Sequence, residues 1–503
     1  MNRNRTGLAM ALILLLSMAS TAFAFDFSEI EDRIVEFSLD NGLKFIILPR
    51  HDAPVASFVT QVDAGCADDP KGAMGLAHMF EHMAFKGTKE VGSKDLKKEL
   101  QWMAVEDSIF NLILDERAKR DLADTARLAE LEEQMKVATD SATSYSEMNE
   151  FSQIVGKHGG TGLNAGTGYD NTTYYVNFPS NKLELWMALE ADRFANPVLR
   201  ELFKEKQVVA EERRFRVESS PTGRLLFGEY LELAFNAHPY GMCMIGEMSE
   251  IQDYNRPQMM EHFKSHYVPR NIVISIVGDV DPKKVQKLAK KYFGKLEDKP
   301  DPKPVTVIEP DPFGIREVTI KENSQPLFIM GYHIPAVTHP DFTALEALAS
   351  YLGSGRTSAL YKDLVKEKKS AVEVQAFSGY PADKYPTLFN ILCVPSNEHS
   401  NQENLEAILG HIEKTRTELI PVEELDKIKA QAKAYLINAL GSNAGLAGQL
   451  VNYQTKLGDW RKLFKELDRV NALTPEDIKR VAEKYLDPEK RITAYLEKPE
   501  EGI

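Results

Sequence analysis

Residues 257–279 and 475–496 are built on one pattern, and that pattern constrains the chain to a duplicated architecture. The first copy runs from Pro257 to Tyr267, through Pro269, into the apolar stretch Ile272–Val277; the second runs from Pro475 to Tyr485, through Pro488, into Ile492–Leu496. In each, a proline in the first turn starts a helix, a tyrosine sits ten residues on, and a proline-bounded turn leads into a strand. Between the copies lies Glu297-Asp-Lys-Pro-Asp-Pro-Lys-Pro304, followed by Pro310 and Pro312. Such a charged, proline-rich stretch favours an extended linker. A chain of 503 residues is also too long for a single core. The expected organisation is an N-terminal domain over 25–296, a linker over 297–314 and a related C-terminal domain over 315–503.

The N-terminal domain opens with expected strands at Ile34–Leu39 and Leu43–Leu48 around Asn41-Gly42, a hairpin signal, and a third at Ala56–Val62. The run Gly75-Leu-Ala-His-Met-Phe-Glu-His-Met-Ala-Phe-Lys-Gly87 follows. On a helix His78 and His82 are four residues apart, so both imidazoles leave one face and can hold a single metal ion. Glu81 lies on that face too. It is close enough to take a proton from water held by such an ion, and the spelling His-x-x-Glu-His makes it the base and not a ligand.

A catalytic metal site needs a third protein ligand. The segment Glu201–Arg214 has neither Gly nor Pro and reads as a charged helix. Glu205 and Glu212 are seven apart and share a face, whereas Glu211 points about 100° away. Glu212 is therefore the expected ligand, and Glu205 is placed to hydrogen-bond a ligating imidazole and fix its tautomer.

Together with these residues, Gly162-Leu-Asn-Ala-Gly-Thr167, Asp170-Asn-Thr-Thr-Tyr-Tyr175, His238-Pro-Tyr-Gly241 and Asn271–Asp279 carry a family likeness. The chain resembles the insulinase, pitrilysin and mitochondrial processing peptidase family of inverted-motif zinc peptidases over most of its length. The resemblance implies an α+β fold of two tandem homologous domains, each a mixed or antiparallel sheet packed by helices, forming half of a clamshell. It also implies a zinc endopeptidase for extended peptides or unfolded polypeptides. One Zn²⁺ per chain would sit on His78, His82 and Glu212, with Glu81 activating the water, and the C-terminal domain would be non-catalytic. Substrate would add as a strand along Asn164 and Ala165.

Two departures accompany the likeness. The stretch between His82 and Glu212 is longer than in the family, and the surplus, about 104–156, reads as an inserted, charged helical element. A cap over the cleft, a partner-binding element and a solvated spacer all fit its sequence, the spacer best, and its excision should leave the zinc site folded. The Arg and Tyr that active members carry seven positions apart in the C-terminal domain fall here on Val365 and Val372. A homodimer, or a heterodimer with a related chain supplying the missing pair, is the expected assembly. The rival readings are a non-catalytic scaffold subunit of a heterodimeric peptidase and a zinc-binding carrier. Retention of Glu81, useless for binding alone, weighs against the carrier.

Met1–Ala24 reads as a secretory signal, with Arg3 and Arg5, an apolar run from Leu8 to Ala19 and the small-x-small site Ala22-Phe23-Ala24. Export to the periplasm, or beyond the cell, is the expectation, with no membrane span after cleavage. The formal net charge of −14 argues against nucleic acid as a partner. The glycine-rich run 159–168 lacks the Lys-Ser/Thr of a phosphate loop. Cys66, Cys243 and Cys393 are too few and too far apart to form a disulfide framework and are expected as small core residues.

Overall fold

The computed structural model describes residues 27–499, so the expected signal at 1–24 lies outside the described residues. Two mixed sheets organise the chain. The first is built from Val35–Ser38 (β1), Lys44–Pro49 (β2), Val55–Val62 (β3), Thr161–Thr167 (β4), Thr172–Pro179 (β5) and Ile272–Gly278 (β6), in spatial order β1-β2-β6-β3-β5-β4. Helices Leu76–Met83 (α1), Leu96–Arg117 (α2), Thr125–Ser144 (α3), Glu150–Lys157 (α4), Leu183–Ala195 (α5), Leu202–Arg213 (α6), Tyr230–Ala234 (α7) and Arg256–His266 (α8) lie among them. The second sheet has the order β7-β11-β8-β10-β9, from Arg316–Lys321 (β7), Leu327–Ile334 (β8), Ala371–Tyr380 (β9), Thr387–Pro395 (β10) and Ile492–Glu497 (β11). Its helices are Phe342–Gly353 (α9), Asn401–Thr417 (α10), Val422–Gly441 (α11), Asn443–Leu457 (α12), Lys462–Ala472 (α13) and Pro475–Tyr485 (α14).

The second sheet repeats the first strand for strand. β2 runs parallel to β6, and the steps from β6 through β3 and β5 to β4 are antiparallel. In the second sheet β7 is parallel to β11, and the steps through β8 and β10 to β9 are antiparallel. β1 is the extra strand, joined to β2 through the turn where Gly42 takes φ 88°. The helices that precede β6 and β11 start alike: Asn255 caps α8 and Thr474 caps α14, each with a reciprocal bond from the residue three positions on.

Strand alternation explains how the two domains hold together. In β2, Phe45 and Ile47 enter the core beneath α1 and α5, while Ile46 and Leu48 point to the opposite face. That opposite face is covered by the other domain. Leu440, Leu446, Leu450 and Trp460, from or just beyond α11 and α12, pack against Ile46, Leu48, Val59 and Val277. The exchange is reciprocal: Leu327, Ile329, Ile492 and Leu496 on the outer face of the second sheet pack against Leu225 and against Tyr230, Leu231 and Ala234 of α7. Each fully buried leucine or isoleucine contributes about 1.5–3 kcal/mol. Neither sheet is covered on both faces without the other domain.

Residues 297–315 contain neither helix nor strand. This segment is pinned at Glu309, whose carboxylate accepts the backbone N–H groups of Asn236, Ala237 and His238. The helical segment before β4 departs from the spacer expectation. α2 and α3 form an antiparallel hairpin. Its base is built into the fold: fully buried Arg200 donates to Glu99 at 2.8 Å, Arg256 donates to Glu106 at 2.9 Å, and the Phe110 ring meets Phe203. Phe151 and Val155 belong to the first core. Only the outer part of the segment is free of such ties, because buried ion pairs and core side chains fix the rest. All three cysteines are buried and unbridged. Among the described residues no helix is long and apolar enough to cross a membrane.

Candidate metal centre

The geometry of α1 starts with its cap. Gly75 adopts φ 88°, where a Cβ would lie 2.3 Å from the Ile245 carbonyl oxygen, so glycine is required there. The carboxylate of Asp69 accepts the N–H groups of Gly75 at 2.8 Å and Ala77 at 2.9 Å, which satisfies the exposed helix start. Leu76, Met79, Phe80 and Met83 enter the core. His78, Glu81 and His82 are left on the face toward α6 and β4.

The structure brings His78, His82 and Glu212 together. Glu212 Oε2 lies 3.4 Å from His82 Nε2 and 3.8 Å from His78 Nε2, and one donor atom of each residue lies within 4.8 Å of the other two. Tetrahedral bonds of about 2.0–2.1 Å would set donors about 3.3 Å apart, so the spacing suits a Zn²⁺-sized ion with small adjustments. Two imidazoles and one carboxylate are a donor set for that ion, with one position left open. Glu211 turns outward and pairs with Arg214.

The surrounding residues fix these donors. His82 Nδ1 lies 3.1 Å from Glu205 Oε1, which directs Nε2 toward Glu212. Lys86 donates to the other oxygen of Glu205 at 2.6 Å and to Glu201 at 3.3 Å. Arg216 Nε sits 3.1 Å from Glu212 Oε1, leaving Oε2 for the metal position. Thr167 Oγ1 donates to Glu81 Oε2 at 3.1 Å. Sequence reasoning did not single out Thr167, Lys86 or Arg216. A signal existed for the last two, each four positions after His82 or Glu212, although Lys86 lies just past the end of α1 and Arg216 just past the end of α6.

Electrostatics favours a cation. Burial pulls the His78 pKa down to about 4, which keeps its imidazole neutral as a ligand must be. Burial also works to lower His82, but hydrogen bonds to Glu205 and Glu212 outweigh it and hold the ring up to about 9. Burial raises Glu81, and the hydrogen bond with His82 helps to lower Glu212. Three carboxylates, those of Glu81, Glu205 and Glu212, thus converge around two imidazoles.

Comparison with known proteins decides the family. The model described as Insulinase (Peptidase family M16) matches residues 45–110 and 128–246, and that described as Peptidase M16 inactive domain matches 253–432. The chain belongs to the insulinase/pitrilysin family. Within it, the chain is 29% identical to the zinc protease PqqE of Helicobacter pylori, over 91% of each chain. It is 22% identical to the probable mitochondrial-processing peptidase subunit beta of Schizosaccharomyces pombe, over 89% of this chain and 88% of that one. A crystal structure of a protease from Helicobacter pylori superposes with a TM-score of 0.76 at 27% identity, covering 93% and 99% of the two chains. The periplasmic protease PqqL from Escherichia coli shares the fold at TM-score 0.67 and 17% identity, with 93% of this chain matching 48% of that one. This family member therefore has the fold of one half of a longer relative. The residues between the two matched segments, 111–127, form the tip of the α2–α3 hairpin.

The other expected site residues are not among the donors. Asn164 and Ala165 sit on β4, the last strand of the first sheet, with Asn164 exposed and its amide donating to the Tyr175 hydroxyl at 3.1 Å. The register shifts between Thr161 and Asn164, and β4 has no strand on its outer side among the described residues. Val365 packs against the second core, and Val372 stands exposed on β9, an edge strand of the second sheet. Tyr240 and Asp170, from two of the quoted motifs, bond to each other, and Asp170 accepts the backbone N–H groups of Asp383 and Lys384. Those motif residues join the domains.

Proposed function

We propose that this chain is a zinc-dependent endopeptidase that cuts extended peptides or unfolded polypeptides. The observation that carries the reading is the convergence of His78, His82 and Glu212 with the Glu81 carboxylate held beside them by Thr167. His78 and His82, through Nε2, and Glu212, through Oε2, would hold the ion. When bound, Zn²⁺ supplies a Lewis acid that polarises a peptide carbonyl and acidifies water. Glu81 accepts the proton of the attacking water at a carboxylate oxygen and passes it to the departing amine nitrogen. Glu205 keeps the His82 ring oriented. The free edge of β4 at Asn164 and Ala165 receives the substrate backbone as an added strand, which favours unfolded chains over folded ones.

Compartment and assembly belong to the same proposal. The signal at 1–24 sends the chain to the periplasm. Because the fold matches half of a longer relative, a second chain closes the chamber: either a second copy, or a related chain that also supplies the Arg and Tyr absent at Val365 and Val372. The test is hydrolysis of an unstructured peptide by the purified chain and by Glu81→Gln. Zinc should stay bound in the variant while the rate falls by at least the ~10²–10⁴-fold typical of a lost general base. Equal rates would overturn the mechanism. A zinc-loaded wild type that never cleaves, even with its partner, would favour the scaffold reading.

A further inference from the structure

In the second domain the place of α1 and α6 is taken by α9 and α11. Between them, closed by α12 and α13, lies a cavity of about 580 Å³. That volume is within the ~300–1,000 Å³ range of small-molecule sites. Much of the wall is apolar, including Phe342, Ile428, Leu436 and Leu463. Five charged side chains also reach it: Glu346, Asp383, Lys456, Glu466 and Arg469. Four of them are paired. Lys456 donates to Asp383, and Arg469 donates to Glu466 at 3.2 Å, where Thr343 Oγ1 adds a bond at 3.3 Å.

Glu346 is the exception. Its side chain is exposed to the solvent of the cavity with protein on the surrounding walls, and no hydrogen bond or ion pair with a described residue reaches its carboxyl. That surrounding protein, and then the neighbouring carboxylates Glu466 and Asp383, push its pKa up to about 8. A carboxyl left unpaired beside an apolar wall gains most from a partner that brings a positive charge. A hard metal ion would need several free oxygen donors, whereas one unpaired carboxyl beside an apolar stretch of wall, with the other carboxylates already paired, suits a single cationic group on an apolar body.

We propose that this cavity binds an organic cation, a primary ammonium or a guanidinium carried on an aliphatic or aromatic body, with the charge on Glu346 and the body against Phe342, Ile428 and Leu463. The site goes beyond the peptidase reading and does not depend on it. The cation can be a free amine or the basic side chain of a peptide.

The test is calorimetric titration of the full chain with 4-phenylbutylamine and with 4-phenylbutanol, which has the same body and no charge. The amine should bind saturably at one site per chain. The alcohol should bind about tenfold more weakly or worse, the difference expected for a lost charge-assisted bond. Glu346→Gln, which keeps the side-chain shape, should weaken the amine by a similar factor. Circular dichroism of the variant checks its fold, and the alcohol comparison needs no variant at all. Competition with acetyl-Phe-Lys-amide separates the two sources: displacement assigns a peptide side chain, and its absence assigns a small amine. No saturable binding of the amine, equal affinity for amine and alcohol, or an unchanged affinity in folded Glu346→Gln would each overturn the proposal.

Discussion

The helix pair α1/α6 in the first domain and the pair α9/α11 in the second stand in equivalent places: α1 and α9 each follow the corresponding strand, β3 or β8, and pack beside the edge strand of their own sheet. Their chemistry differs completely. The first pair turns two imidazoles and three carboxylates toward each other, and the second turns apolar side chains and one free carboxyl into a cavity. The framework is therefore set by apolar alternation in strands and helices, while the chemistry depends on a few residues on the facing sides of two helices. Either set can change without the other.

The strongest way to break this comparison is to separate the domains. If each sheet needs the other domain's helices as its cover, residues 25–296 and 315–503 expressed apart should each fail to fold, and co-expression should restore a soluble complex. Size-exclusion chromatography and circular dichroism decide it. A half that folds alone would show that the shared cores are dispensable. A smaller loss is expected from Leu450→Ala, which opens a cavity where α12 meets the first sheet. It should cost about 2–5 kcal/mol in denaturant unfolding of the whole chain. A cost near zero would mean that this contact is loosely packed.

Within the candidate metal centre, Glu205→Gln should weaken zinc binding about 10–100-fold without abolishing it, because it loosens the His82 ring and removes none of the three donors. Competition with a chelator measures this. The smallest effect is expected at the hairpin tip. Deleting 111–127 with a short linker should leave the thermal midpoint nearly unchanged, whereas deletion of 104–156 removes Glu106, Phe151 and Val155 and should leave the chain aggregated. If both deletions behave alike, the division of the hairpin into tip and base is wrong.

Much of this was legible in the sequence where the signal is local. The repeated helix–turn–strand ending announced the two sheets, His-x-x-Glu-His put three groups on one helical face, and the seven-residue spacing set Glu205 and Glu212 apart from Glu211. What needed the structure is long-range. Nothing in the sequence near Glu99 or Glu106 announces Arg200 or Arg256 as partner, so the hairpin looked like a solvated spacer. The exchange of helix cover was hidden for the same reason. The apolar residues of α12 promise a core but do not say whose. Thr167 was visible only as the end of a glycine-rich strand, and its bond to Glu81 spans 86 residues.

The central claim is that the first pair of helices, and not the second, is a metal centre closed by Glu212. Metal analysis of the purified chain beside Glu212→Gln and Glu211→Gln tests it most directly. One zinc per chain is expected in the wild type and in Glu211→Gln, with little or none in Glu212→Gln. Full zinc in Glu212→Gln, or loss of zinc in Glu211→Gln instead, would contradict it.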